Sequence, residues 1–149
     1  MRYKDTGEVH KDFHLATNET IDFVLSEYGM DFLTELFRRT SQNVYRDIYS
    51  HLKNGDFRPL VEHWSYYYSR EGGVFSVSEQ GESTVFHVTD CPAVRHLKEK
   101  GIPVTDNFYL QVSLMNEGWS DGTPFDIATE IIGEGEYRMT IRRISDDSQ

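Results

Sequence analysis

Residues Ser83 to Gly101 read S-T-V-F-H-V-T-D-C-P-A-V-R-H-L-K-E-K-G. The first half is apolar and β-branched, as a largely buried strand requires. Pro92 then suits the first turn of a helix that turns Val94 and Leu97 inward, and Lys98, Lys100 and Gly101 mark its end. The chain's one cysteine, Cys91, therefore stands at a strand-to-helix junction.

Immediately upstream, Val74-Phe75-Ser76-Val77-Ser78 has the same strand character, and Gln80-Gly81-Glu82 supplies a hairpin turn between the two runs. Downstream, Phe125 to Ile132 and Tyr137 to Ile144 form a second hairpin around Gly133-Glu134-Gly135-Glu136. Phe125, Ile127, Thr129 and Ile131 alternate on one strand, and Tyr137, Met139 and Ile141 on the other.

Ahead of the first hairpin the period is helical. Thr17 or Asn18 can cap a helix carrying Ile21, Val24, Leu25 and Tyr28, which Gly29 ends. Asp31 can cap a second, with Leu33, Phe37, Val44, Ile48 and Leu52 inward until Asn54-Gly55, and Phe32 to Lys53 would span roughly 33 Å. Pro59 opens a third, P-L-V-E-H-W-S-Y-Y-Y-S-R-E, with Leu60, Trp64, Tyr67 and Tyr68 on its apolar face and Gly72-Gly73 as its stop. Asp106 to Trp119 fits either a strand alternating Phe108, Leu110, Val112 and Leu114, or a helix with the stripe Phe108, Val112, Met115 and Trp119.

This order predicts an α+β fold: N-terminal helices packed on an antiparallel sheet built from two β-hairpins, with one or two helices inserted between them. The 149 residues suit a single domain, with residues 1–16 as a lead-in arm and 146–149 as a frayed tail. No repeat or low-complexity segment is present.

A formal charge of −10 opposes binding to nucleic acid or to an anionic membrane. The N-terminus lacks the apolar stretch of a signal peptide, and no run approaches ~18 apolar residues. A lone cysteine makes no internal disulfide, so a cytoplasmic location is expected.

Cys91 at a helix N-terminus meets unpaired N–H groups and a dipole that favour a thiolate, although Asp90 beside it adds repulsive charge. On an extended strand His87 would share its face at roughly 13 Å, too far for a direct pair. A base for Cys91 is therefore sought on the third helix, where His63 stands. There Arg70 could hold a carboxylate, although Trp64, Tyr67 and Tyr68 also suit a plain core face. The six histidines include one i,i+4 pair, His10 and His14, and no zinc spacing, so neither a metal nor a cofactor is expected.

The order of elements, the D-C-P-A-x-x-x-L-K-x-x-G stretch at 90–101 and the G-E-G-E-Y-R-M-T-I hairpin at 133–141 resemble the L-2-amino-thiazoline-4-carboxylic acid hydrolase family, itself similar to four-vinyl-reductase-type ligand-binding domains. The resemblance implies that the segment from Asp106 to Gly118 is a helix. It also implies ring-opening hydrolysis of a small heterocycle at Cys91. Members commonly carry further cysteines in the C-terminal half, about where this chain has Tyr109 and Tyr137.

Three readings follow. In the first, a small hydrolase uses Cys91 as nucleophile, His63 or His87 as base and Arg70 as carboxylate anchor. In the second, a non-catalytic binding or sensory module encloses a small molecule among Trp64, Tyr67, Phe108 and Trp119. In the third, exposed aromatics and the N-terminal arm build a homodimer interface.

Overall fold

The computed structural model describes residues 12–145. Four helices come first: α1 (Asp12–Tyr28), α2 (Met30–Arg39), α3 (Arg46–Lys53) and α4 (Arg58–Arg70). The hairpin β1 (Val74–Gln80) and β2 (Ser83–Asp90) follows, then α5 (Pro92–Glu99) and α6 (Leu110–Ser120). A second hairpin, β3 (Phe125–Gly133) and β4 (Glu136–Arg143), is the last regular structure among the described residues. The sheet runs β1-β2-β4-β3 and is antiparallel throughout, so the two hairpins lie side by side with β2 against β4. This is the expected α+β architecture, with two helices between the hairpins.

One face of the sheet carries the core. Phe86, Val88, Tyr137, Met139, Ile141, Phe125 and Ile127 are buried against Leu60, Trp64 and Tyr68 of α4, Leu97 of α5 and Trp119 of α6. A second small cluster of Ile21, Val24, Leu33 and Leu114 joins α1, α2 and α6. Strand alternation places ion pairs on the other face, such as Arg138 with Glu130 at 3.6 Å and His87 with Glu136 at 2.9 Å.

Three expectations about the helices are corrected. The first helix is already formed at Asp12, the first described residue, and does not start at Thr17, so the described part of the supposed arm is helical. His14 and Asn18 are buried on the inward face of α1, and polar residues there interrupt the apolar period by which such a face is recognised. Asn18 is not a cap; its side chain donates to the Pro103 carbonyl at 3.2 Å and accepts from Thr105 N–H at 3.0 Å.

The single long second helix is interrupted by a π-helical segment, Thr40–Val44. The widened turn sets Ser41 against Gly118 of α6, where a Cβ would lie 2.1 Å from the Ser41 hydroxyl oxygen. It also presents the Ser41 carbonyl to the Trp119 indole N–H at 3.1 Å, and the Gln42 amide donates to Gly118 O at 3.0 Å. Finally, the segment from Asp106 is helical only from Leu110, after a series of turns.

Candidate functional site

A cavity of about 190 Å³ lies between α4, α6 and the helix-bearing face of the sheet. From α4 it takes His63, Trp64, Tyr67 and Tyr68, which recur over two helical turns on the face that α4 turns to the sheet. From α6 and the turn before it come Phe108, Val112, Met115 and Trp119, the helical stripe legible in the sequence, with Gln111 and Asn116 beside it. Tyr137 and Met139 of β4 form the floor, and Cys91 and Ala93 at the head of α5 form one end. Phe13 of α1 and Tyr45 complete the wall.

The rings pack on one another. Trp64 meets Trp119 edge to face at 6.3 Å between centroids and Phe86 at 5.4 Å, while His63 rests against Tyr45 at 4.9 Å and Trp119 at 6.2 Å. Such contacts fix the wall rotamers, so the hollow exists before anything enters it.

Cys91 reaches this cavity because β2 carries a bulge. Val74 pairs with Asp90 and Phe75 with Val88, which leaves Thr89 as an extra residue and reverses the alternation beyond it. Cys91 consequently joins Phe86 and Val88 on the core face, while His87 stays on the other. The Cys91 N–H donates to Gly135 O in the β3–β4 turn at 2.9 Å, and its carbonyl accepts the Arg95 N–H at 3.1 Å. Gly135 has φ 76°, a conformation that favours glycine, and its N–H donates to the Tyr109 hydroxyl at 2.8 Å.

The cysteine side chain takes part in no cap hydrogen bond at the head of α5. Its partner is Tyr137, whose hydroxyl donates to Sγ at 3.6 Å. Because that proton is used, the Tyr68 hydroxyl is the donor in its 2.5 Å bond with the Tyr137 hydroxyl. A Tyr68–Tyr137–Cys91 chain thus ends the cavity. Asp90, expected to repel a thiolate, is paired with Arg95, which also donates to Gly72 O at 2.8 Å.

Burial sets the charge state of the wall. It pushes the Tyr67 hydroxyl up, with Cys91 the next cause, and drives Tyr68 and Tyr137 well up from the usual phenol range. Burial pushes the His63 imidazole down. The phenols are therefore donors rather than bases at neutral pH, and His63 is uncharged.

Six residues singled out from sequence, Cys91, His63, Trp64, Tyr67, Phe108 and Trp119, border this one cavity. Two do not. His87 faces the opposite side of the sheet in its pair with Glu136, because the bulge separates its parity from that of Cys91. Arg70 ends α4 with its guanidinium 3.5 Å from the Tyr66 hydroxyl, outside the cavity wall. The sequence marks Tyr68 as a core residue, and Tyr137 as a core residue that stands about where the resembled family carries a further cysteine. A phenol on the inward side of an alternating strand must find a hydrogen-bond partner, and that is the signal by which Tyr137 could have been recognised.

Among the described residues no three His, Cys, Asp or Glu side chains are placed to hold a metal ion, and His10 of the His10–His14 pair lies outside them. His14 instead approaches Glu71 at 3.5 Å, with the His96 ring centroid 6.2 Å away. No helix among the described residues is long and apolar enough to cross a membrane.

No family model matches the chain, and no curated protein does. Among solved structures it is similar to an Fe(II) unliganded H-NOX protein from K. algicida, at 18% identity over 97% of this chain and 69% of that one. The TM-score is 0.30, too low to establish a common fold.

Proposed function

We propose that the protein is a non-catalytic small-molecule-binding module whose site is the cavity between α4, α6 and the sheet. The observation that carries this reading is the cavity itself, about 190 Å³ and walled mainly by aromatic rings, with a hydroxyl and thiol chain at one end. An apolar cavity of about 150 Å³ is known to take up benzene, so the size suits a single ring with small substituents. Drug-sized ligands need larger pockets.

A hydrolase using Cys91, as the family resemblance implies, is the second reading, and the position of Cys91 on the cavity wall is what favours it. Against it stand the absence of a cap hydrogen bond to the sulfur and the identity of its partner, since a buried phenol donates a proton and does not accept one from a thiol. Arg70 and His87, which would hold a carboxylate and act as a base, are outside the site.

The test uses the two tryptophans, Trp64 and Trp119, which are the only ones in the chain and both line the cavity. Iodobenzene, a heavy-atom quencher, is expected to quench their emission saturably, and Val112→Phe, which fills the cavity, is expected to abolish the saturable part. Linear quenching that is the same in both proteins would overturn the module reading. Measured ring opening of an amino-thiazoline carboxylate, lost in both Cys91→Ser and Cys91→Ala, would restore the hydrolase.

A further inference from the structure

The cavity differs from three other hollows among the described residues in one chemical respect. Among the described residues, no Asp, Glu, Lys or Arg side chain lines it. The open groove at the start of α6 has Asp106 and Glu134 in its wall, the hollow beside α5 has Asp90, Arg95 and Lys98, and the depression on the outer sheet face has Glu130 and Arg138. Each of those has ionic side chains in its wall. The polar groups of the aromatic cavity are phenols, a thiol, two carboxamides and one imidazole, and burial keeps that imidazole neutral at pH 7.

Resting on the proposal that this cavity binds a ligand, we infer that its ligand is a ring-sized organic molecule with a hydrogen-bonding substituent and no anionic group. An anion entering it would lose its hydration and meet no counter-charge, while the negative charge of the whole protein would oppose its approach. Ring faces attract a cation, so the wall discriminates against negative charge rather than against charge of either sign. A neutral substituent instead meets Tyr67, Cys91 or the Tyr68–Tyr137 pair, all of which can take up a hydrogen bond without a charge change. The carboxylate-bearing substrate implied by the family resemblance does not suit this wall.

Benzamide and benzoate separate the two cases, because they match in shape and differ in charge. Each is used at pH 7.5 to displace iodobenzene, read as recovery of tryptophan emission. Benzamide is expected to displace it at a concentration at least about tenfold below that of benzoate. In Gln111→Lys, which adds an ammonium to the wall, that ratio is expected to fall. Benzoate equal to or better than benzamide in the unsubstituted protein, with saturable iodobenzene quenching intact, would overturn the inference and leave the module reading standing. If iodobenzene itself does not quench saturably, the module reading fails and the inference fails with it.

Discussion

On β2, Phe86 and Val88 point toward the helices and are fully buried, whereas His87 between them points away, to an ion pair with Glu136. The same division holds across the sheet: Tyr137, Met139 and Ile141 of β4 face the helices, and Arg138 and Thr140 face solvent. One face is thus an aromatic wall without formal charge, and the other is a field of paired charges. The difference shows that position relative to the pleat, and not residue type, decides which titratable groups can serve a site. His87 and His63 are both histidines near Cys91 in sequence or expected contact, yet only His63 shares its cavity.

The sharpest contrast is in stability. Trp119 is 3% exposed, packs on Trp64 and Tyr45 and donates to Ser41 O, so Trp119→Ala is expected to cost about 3–5 kcal/mol in urea unfolding. Arg138→Ala on the outer face removes only a partly exposed pair with Glu130 and is expected to change stability by less than about 1 kcal/mol. Equal costs for the two would break the comparison.

Gly118→Ala tests how the aromatic side is held in place. Its Cβ would collide with the Ser41 side chain and lie 3.0 Å from Arg38 Cα, so a loss of about 1–3 kcal/mol is expected, with a change in tryptophan emission as α6 shifts. Removing the Tyr137 hydroxyl is expected to cost a similar amount. Tyr137→Phe leaves Tyr68 without its acceptor and Cys91 without its donor, for an expected loss of about 1–3 kcal/mol and a faster reaction of Cys91 with iodoacetamide.

Acid acts on the inner face too. Burial pushes His63 down from the ordinary value of 6.5, and burial is also the largest cause lowering His14, against the opposing pull of Glu71. The unfolded chain therefore takes up protons at a higher pH than the folded one, and stability falls as pH drops below about 6.5. Thermal unfolding followed from pH 7.5 to 5 checks this, and His63→Phe is expected to flatten the slope. A stability that rises through this window would contradict it.

Much of this was legible because both periods are strong. The stripe Phe108, Val112, Met115 and Trp119 lines the cavity as a helix predicts, and both hairpins have their turns at the glycines that mark them. The bulge at Thr89 was not legible, since one unpaired residue leaves no mark in a run such as Val85 to Val88, and it alone moves Cys91 to the face opposite His87. The π-helical segment was hidden likewise, because it answers to Gly118, far off in the chain. The start of α1 was masked by His14 and Asn18, polar residues whose burial depends on partners in Glu71, Pro103 and Thr105.

The central claim is that the space between α4, α6 and the sheet admits a ring-sized guest. A crystal of the protein exposed to iodobenzene tests it most directly, through the anomalous scattering of iodine. The account predicts one strong iodine peak enclosed by Trp64, Trp119 and Tyr137. Iodine found only on the protein surface, with the cavity closed around its own side chains, would contradict it.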